Sequence, residues 1–378
     1  MRVGLDARFL AQPGSGVHRY VANLLLWLPE VAPEHEYFVY YCASTKAGLP
    51  ESMSGRVRLR PIAGPPSLFS FSPVLLLTQK RDRLDLFHST AYTLPAVNLT
   101  ATVLTLHDLT FEVHPAWYAS RQGNFFRAYI RYSAMRANRI IADSEATQAD
   151  IRRYYGLPPK KVSVVYLGGA ASHFAPMDRS QALEQVRRHS GLAGPFLLYV
   201  GAIHERKNMR RLIEAYGLAR RTSTFLHRLL IVGAGREAQL AELDRLIAGL
   251  GLSGHVKRLP PVNDDLLPIY FAAAEAFIYP SLYEGFGLPI VEAMAMGTPV
   301  ITSRSSSLAE VAGPAAVLVD PRDVSDMAGG IARILTSPEL RAELSARGLE
   351  RARQFSWASC ARETAQVYQA VISEARRD

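Results

Sequence analysis

The stretch AFIYPSLYEGFGLPIVEAMAMGTPVIT, residues 276–302, contains one complete structural unit. Ala276–Tyr279 is short, apolar and closed by Pro280-Ser281, which reads as a buried strand. Pro289–Met296 has helical spacing, and Pro289 suits a first turn, where its missing N–H leaves no bond unmade. Gly297 ends the helix, and Val300–Thr302 reads as the next strand. Strand, helix, strand in that compass implies a parallel pair joined by a crossover helix.

The same alternation extends in both directions. Downstream, Ala316–Val319 reads as a strand; upstream, so do Phe196–Val200, Leu229–Val232 and His255–Leu259. Helical patterns at Asn208–Ala219, Ala238–Leu250 and Asp265–Ala273 separate them. The N-terminal half repeats the scheme. Val3 and Leu5 alternate with polar neighbours, and Val17, Tyr20, Val21, Leu24, Leu25 and Leu28 recur at helical spacing. Strand-like runs follow at Tyr37–Tyr41, Val57–Leu59, Leu84–Phe87, Thr102–Leu106, Arg139–Ala142 and Val162–Tyr166, with Ser144 a helix N-cap. The fold class is therefore α/β, two Rossmann-like domains of parallel strands covered on both faces. The loop-like composition of Gly168–Asp178 divides them. The expected domains are 1–172 and 173–355, with 356–378 a C-terminal helix packing back on the first. In open α/β sheets ligands bind beyond the carboxyl ends of strands, so the site is expected in the cleft where the domains face each other.

Composition narrows the function. Two cysteines in 378 residues, Cys42 and Cys360, make no disulfide framework and no Cys-rich zinc site. The opening residues read as a strand rather than a signal peptide. No apolar run approaches the ~18 residues that span a bilayer, and Pro73–Leu77 reads as a short buried segment. A cytoplasmic location is the expectation. Net charge is +9, and residues 1–170 hold 19 basic against 12 acidic side chains, a surplus that attracts anionic partners. No zinc, helix-turn-helix or RNA-recognition signature supports a nucleic-acid partner.

Four loops carry candidate chemistry. In Glu284–Glu292 the glycines admit close backbone approach, and the N–H groups of Phe286, Gly287 and Leu288 open a helix toward an anion. Glu284 and Glu292 suit hydrogen bonds from sugar hydroxyls rather than contact with phosphate. In Val200–Asn208, Arg206 and Lys207 could clamp a diphosphate. Gly14 and Gly16, after Pro13 and the first strand, form a Gly-x-Gly turn without the third glycine of a dinucleotide fingerprint. Gly233-Ala234-Gly235 is equally incomplete and reads as structural, which weakens an NAD oxidoreductase reading. His107, with Asp108, ends a strand; His88 is similarly placed with less support. Asn263-Asp264-Asp265 reads as a helix cap. There is no Asp-x-Asp metal pair, so positive side chains and backbone N–H groups must neutralise any departing diphosphate.

The chain resembles the retaining family 4 glycosyltransferases of the GT-B fold. The likeness rests on Glu284…Glu292, Val200-Gly201…Arg206-Lys207-Asn208, Tyr279-Pro280-Ser281, Gly297-Thr298-Pro299-Val300 and the run Leu308–Gly313 leading to Val319-Asp320-Pro321. His107-Asp108-Leu109-Thr110 with His114-Pro115 is similar to the mannosyl- and rhamnosyltransferase branch of polysaccharide assembly. The resemblance implies that Glu284 and His107 act at the reacting sugar. It further implies that Gly14, Gly16, Arg206, Lys207, Phe286, Gly287 and Leu288 bind the donor diphosphate and Glu292 the ribose. One departure is Ala202, where many members carry Arg, so the diphosphate rests more heavily on Arg206 and Lys207.

The implied activity is retaining transfer of a hexose, mannose favoured, from a nucleotide-diphosphate sugar to a glycan or a polyprenyl- or lipid-linked acceptor. No cofactor and no metal are expected. Alternatives are dTDP-rhamnose or a UDP-hexose as donor, or a nucleotide-sugar epimerase or hydrolase on the same fold. The mix of Arg121, Phe125, Phe126, Arg127, Tyr129, Arg131, Arg136 and Arg139, with the apolar loop Pro65–Phe71, suggests peripheral contact with the anionic inner face of the cytoplasmic membrane.

Overall fold

A computed structural model describes residues 1–12, 14–43, 57–64, 70–118, 120–169 and 174–375. Pro13 and Pro65–Phe69, part of two loops singled out above, lie outside the described residues, as do 170–173 within the expected boundary. Two compact units form. Unit 1 comprises Met1–Gly168 with Ser356–Asp378, and unit 2 comprises Gly169–Phe355.

Unit 1 holds a seven-stranded sheet of β1 (Arg2–Asp6), β2 (Glu36–Cys42), β3 (Val57–Ile62), β4 (Leu86–Ser89), β5 (Ala101–Leu106), β6 (Arg139–Ala142) and β7 (Val162–Val164). Their order is β3-β2-β1-β4-β5-β6-β7, and every pairing is parallel. The order reverses between β1 and β4. The helix Gly16–Val31 starts where Ser15 accepts a hydrogen bond from His18 N, and buries Tyr20, Val21, Leu24, Leu25 and Leu28, the stripe its periodicity predicts. Ser144 likewise accepts from Thr147 N at 3.1 Å. The C-terminal helix Trp357–Ala375 belongs to this unit, and its Tyr368 hydroxyl lies 2.6 Å from His88 Nδ1. Cys42 and Cys360 are both buried and reduced.

Unit 2 holds a six-stranded parallel sheet of β8 (Phe196–Val200), β9 (Arg228–Val232), β10 (Val256–Leu259), β11 (Ala276–Tyr279), β12 (Val300–Ser303) and β13 (Ala316–Val319). Their order is β10-β9-β8-β11-β12-β13. Its point of reversal lies between β8 and β11, the strands whose trailing loops carry Arg206-Lys207 and Glu284.

Several sequence expectations shift. The strand expected at Leu84–Phe87 forms two residues later, as β4, because Val3–Leu5 of β1 pair with Leu86–His88. Pro73–Leu77 is not a buried segment. It opens the helix Pro73–Asp82, which buries Leu75 and leaves Val74 and Leu77 43% and 67% exposed. Asn263 precedes a short 3-10 turn, Asp264–Leu266, without capping it through its side chain. No helix is long and apolar enough to cross a membrane among the described residues.

Candidate active site

The loops after β8 and β11 converge at the switch point of the unit 2 sheet, the place where open α/β sheets bind ligands. The β8 loop begins at Gly201, whose φ is +149°. Gly233, at the end of the neighbouring strand, runs so close that a Cβ there would lie 1.9 Å from the Gly201 carbonyl oxygen. Gly233 therefore serves packing, as its incomplete fingerprint suggests. The loop then makes a 3-10 turn over Glu205–Lys207 and enters the helix Met209–Thr222 through Asn208, itself left-handed at φ +60°. Asn208 is anchored by donating from its amide to the Pro280 and Pro321 carbonyls, which ties the β8 loop to the β11 loop.

Glu284 stands at the centre. Its Oε2 lies 2.6 Å from Arg206 Nη1 and its Oε1 2.5 Å from Lys207 Nζ. Lys207 also donates to the Tyr279 hydroxyl and sits 4.6 Å from the centre of that ring. Arg206 donates to the Tyr283 carbonyl at 3.2 Å. Ser306 Oγ accepts from Glu284 N, while Ser307 donates to the Glu284 and Phe286 carbonyls, so the backbone carrying the carboxylate is held from the β12 side. Glu284 and Lys207 are each 7% exposed. Burial alone would raise the Glu284 pKa. The charges of Lys207 and Arg206 and the hydrogen bonds it accepts override that and bring it down to about 2. At neutral pH it is an ionised acceptor. Nearby His204 is pushed down to about 4, by burial and then by Arg206 and Lys207, and is neutral there.

The helix Leu288–Ala295 begins beside this triad. Gly287 caps it at φ +105°, and a Cβ there would meet Leu308 Cδ2 at 2.6 Å. No side chain caps this N-terminus, which suits it to an anion. Phe286 and Leu288 turn their side chains into the core, so only their backbone can serve a ligand. Glu292 lies one turn along the same helix, 4% exposed.

In unit 1, Gly14 (φ +79°) and Gly16 flank the Ser15 cap in an exposed turn, with open space around the position of a Gly14 Cβ. His107 directly follows β5 but is not presented as a bare imidazole. Its Nδ1 lies 2.7 Å from Asp143 Oδ2 and its Nε2 2.9 Å from the Thr90 carbonyl oxygen. Burial alone would lower the His107 pKa, but the charge and hydrogen bond of Asp143 and the bond to Thr90 outweigh burial and raise it. Burial raises the Asp143 pKa too, so the proton between the two belongs to the His107–Asp143 pair. His88 is structural: fully buried between Tyr368 and Thr105, it is held neutral with a pKa near 3.

Sequence reading missed the ion pair of Asp6 and Arg8 at the carboxyl end of β1, where Arg8 Nη2 lies 2.8 Å from Asp6 Oδ2. Arg8 also donates to Ser70 Oγ and the Thr93 carbonyl, fastening three loops at the unit 1 switch point. A charged residue at each side of a strand end is the only sequence signal. No group of three or more His, Cys, Asp or Glu that could hold a metal ion occurs among the described residues.

The model of the glycosyl transferases group 1 matches residues 184–351, and that of glycosyltransferase family 4 matches residues 14–168. The O-antigen chain mannosyltransferase B of Escherichia coli is 32% identical over 290 residues, covering 76% of this chain and 75% of that protein. Two solved structures share the fold. A sucrose-phosphate synthase from Thermosynechococcus elongatus has a TM-score of 0.79 at 24% identity, covering 99% of this chain and 100% of its own. Anabaena HepE in complex with UDP and glucose has a TM-score of 0.77 at 20% identity, covering 98% and 100%.

Proposed function

Since the chain belongs to the glycosyltransferases of group 1 and family 4 and is a hexosyltransferase, we propose that it moves a hexose, mannose favoured, from a nucleotide-diphosphate sugar to a glycan or lipid-linked acceptor, with retention and without a metal. The observation that carries this reading is the convergence of Arg206, Lys207 and Glu284 beside an uncapped helix N-terminus at a sheet switch point. Cations and backbone N–H groups suit a diphosphate, and an ionised carboxylate suits sugar hydroxyls.

In the proposed reaction the bond from the anomeric carbon to the diphosphate oxygen breaks through an oxocarbenium-like transition state. A bond from that carbon to the acceptor oxygen forms on the same face. The acceptor's proton passes to the departing phosphate oxygen. Charge growing on the diphosphate is met by Arg206, Lys207 and the N–H groups at Gly287 and Leu288. Glu284, with its pKa held near 2, serves as acceptor for the sugar hydroxyls, since a group so acidic is no proton donor. Glu292 takes the ribose hydroxyls. In unit 1, Gly14 and Gly16 are assigned to the diphosphate and His107, held by Asp143, to the reacting sugar.

In this state Glu284 and the donor diphosphate address the same two cations, so donor binding exchanges or shares those bonds. The test has two arms. Thermal shifts against GDP-mannose, UDP-hexoses and dTDP-rhamnose identify the donor, with GDP-mannose expected to give the largest shift. The anomeric configuration of the product, read by NMR, decides retention. Arg206→Ala should cost about 10²–10³ in transfer rate, the scale of one lost charge-stabilising donor. Full-rate transfer by this variant would remove Arg206 from the site, and donor turnover that needs no acceptor would remove the transferase reading.

A further inference from the structure

The helix Arg121–Arg136 of unit 1 carries four arginines and no carboxylate. Arg121, Phe125, Tyr129, Tyr132 and Arg136 recur at spacings of three and four and so share one face. The aromatic rings form a ladder: Phe125 and Tyr129 stack at 6.2 Å with 2° between planes, and Tyr129 and Tyr132 at 6.0 Å. Arg136 closes its end, 5.4 Å from the Tyr132 ring centre and donating to its hydroxyl. Phe71 joins from the start of the neighbouring helix, 4.8 Å from the Tyr129 ring. Yet the patch faces solvent, with Phe125 61%, Phe126 45% and Phe71 45% exposed. Beyond Phe71, Leu77 is exposed on a helix whose last turn carries Lys80 and Arg81.

We propose that this face, built by Phe71, Leu77, Arg121, Phe125, Phe126 and Arg136, docks on an anionic lipid bilayer. Aromatic rings favour the headgroup level, and arginines favour anionic headgroups. A second copy of the chain fits poorly, because a two-fold contact through this helix would set arginine against arginine. The patch lies on the surface of an amphipathic helix, so the proposed contact is interfacial.

The same helix is tied to the segment of unit 1 that holds His107. Tyr129 donates to the Leu94 carbonyl at 2.8 Å, and Ser133 Oγ accepts from Leu94 N at 3.1 Å. The segment they hold, Ser89–Leu94, supplies the Thr90 carbonyl that binds His107, and places Tyr92, left-handed at φ +60°, edge-on to the His107 ring. Docking therefore bears on a segment one hydrogen bond from His107. This link depends on the glycosyltransfer reading; the docking does not.

The experiment is co-sedimentation of the full chain with vesicles of phosphatidylcholine alone or with one-third phosphatidylglycerol. Binding is expected only with the anionic lipid, and weakening as salt rises from ~50 to ~500 mM. Arg121→Gln and Arg136→Gln should each lower the partition coefficient about fivefold. The pair Phe125→Ser with Phe126→Ser should abolish sedimentation, and none of these exposed changes should move the unfolding temperature. Equal binding to both vesicles, variants that bind like the parent chain, or no vesicle binding beside a dimer that hides the patch would each overturn the proposal. Transfer to a soluble acceptor is measured alongside. Vesicle binding without any transfer would leave docking standing and overturn the glycosyltransfer reading; transfer without vesicle binding would do the reverse.

Discussion

Replacing Glu284 by glutamine keeps the shape of a buried side chain and deletes one charge. Each carboxylate oxygen faces a cation, at 2.6 Å to Arg206 and 2.5 Å to Lys207, in a site 7% exposed. The pKa near 2, against an ordinary 4.5, means the folded protein prefers the ionised form. At 1.36 kcal/mol per pKa unit the preference amounts to about 3 kcal/mol. Glu284→Gln forfeits that and leaves buried Lys207 and half-buried Arg206 side by side without their carboxylate. Unit 2 should therefore unfold roughly 6–12 °C lower at neutral pH. Because the folded pKa is depressed, the stabilisation is complete above the unfolded value of about 4.5 and is lost as pH falls toward 2. The curves of parent and variant should accordingly converge in acid. Pyrophosphate should rescue the variant more than it stabilises the parent, since it meets cations no longer occupied by Glu284. Differential scanning calorimetry across pH, with and without pyrophosphate, measures all three effects. Equal unfolding temperatures at neutral pH, or equal pyrophosphate shifts, would refute the view that carboxylate and diphosphate compete for the same cations.

Other sites make independent predictions. His107→Leu should destabilise unit 1 by about 3–5 kcal/mol by stranding buried Asp143, and adding Asp143→Asn should recover part of the loss; a double variant worse than the single, in urea unfolding, would show the pair is not coupled. His88, neutral in the fold with a pKa near 3, contributes nothing adverse above its unfolded value of about 6.5, and its stability cost develops as pH falls from there toward 3. His88→Gln should therefore flatten the acid limb of a urea-midpoint profile by up to one proton, and an unchanged slope would place the titration elsewhere. Gly233→Ala should cost about 3 kcal/mol, since its Cβ would fall 1.9 Å from the Gly201 carbonyl oxygen; a parent-like unfolding temperature would mean the β8 loop gives way freely.

The alternation of short apolar strands with helical stripes, and the placement of the charged loops immediately after β8 and β11, were legible in the chain itself. Both are local: hydrophobic period and punctuation act within about ten residues. The stripe Tyr20–Leu28 and the Ser144 cap follow from the same local rules. The Leu-rich run Pro73–Leu77 misled for a complementary reason. Hydropathy says what a segment can bury, not whether a neighbour covers it, and Leu77 is left 67% exposed.

What the amino-acid order determined alone was the class of the fold and the identity of residues able to do chemistry. Only the tertiary structure decided which of them meet. Glu284 lies 78 residues from Arg206 and 77 from Lys207, and His107 lies 36 from Asp143. Strand order brings these partners together, and it is set by long-range pairing of parallel strands, on which no short spacing bears. Protonation follows the same division: a histidine in the sequence titrates near 6.5, but burial holds His88 neutral while Asp143 raises the pKa of His107.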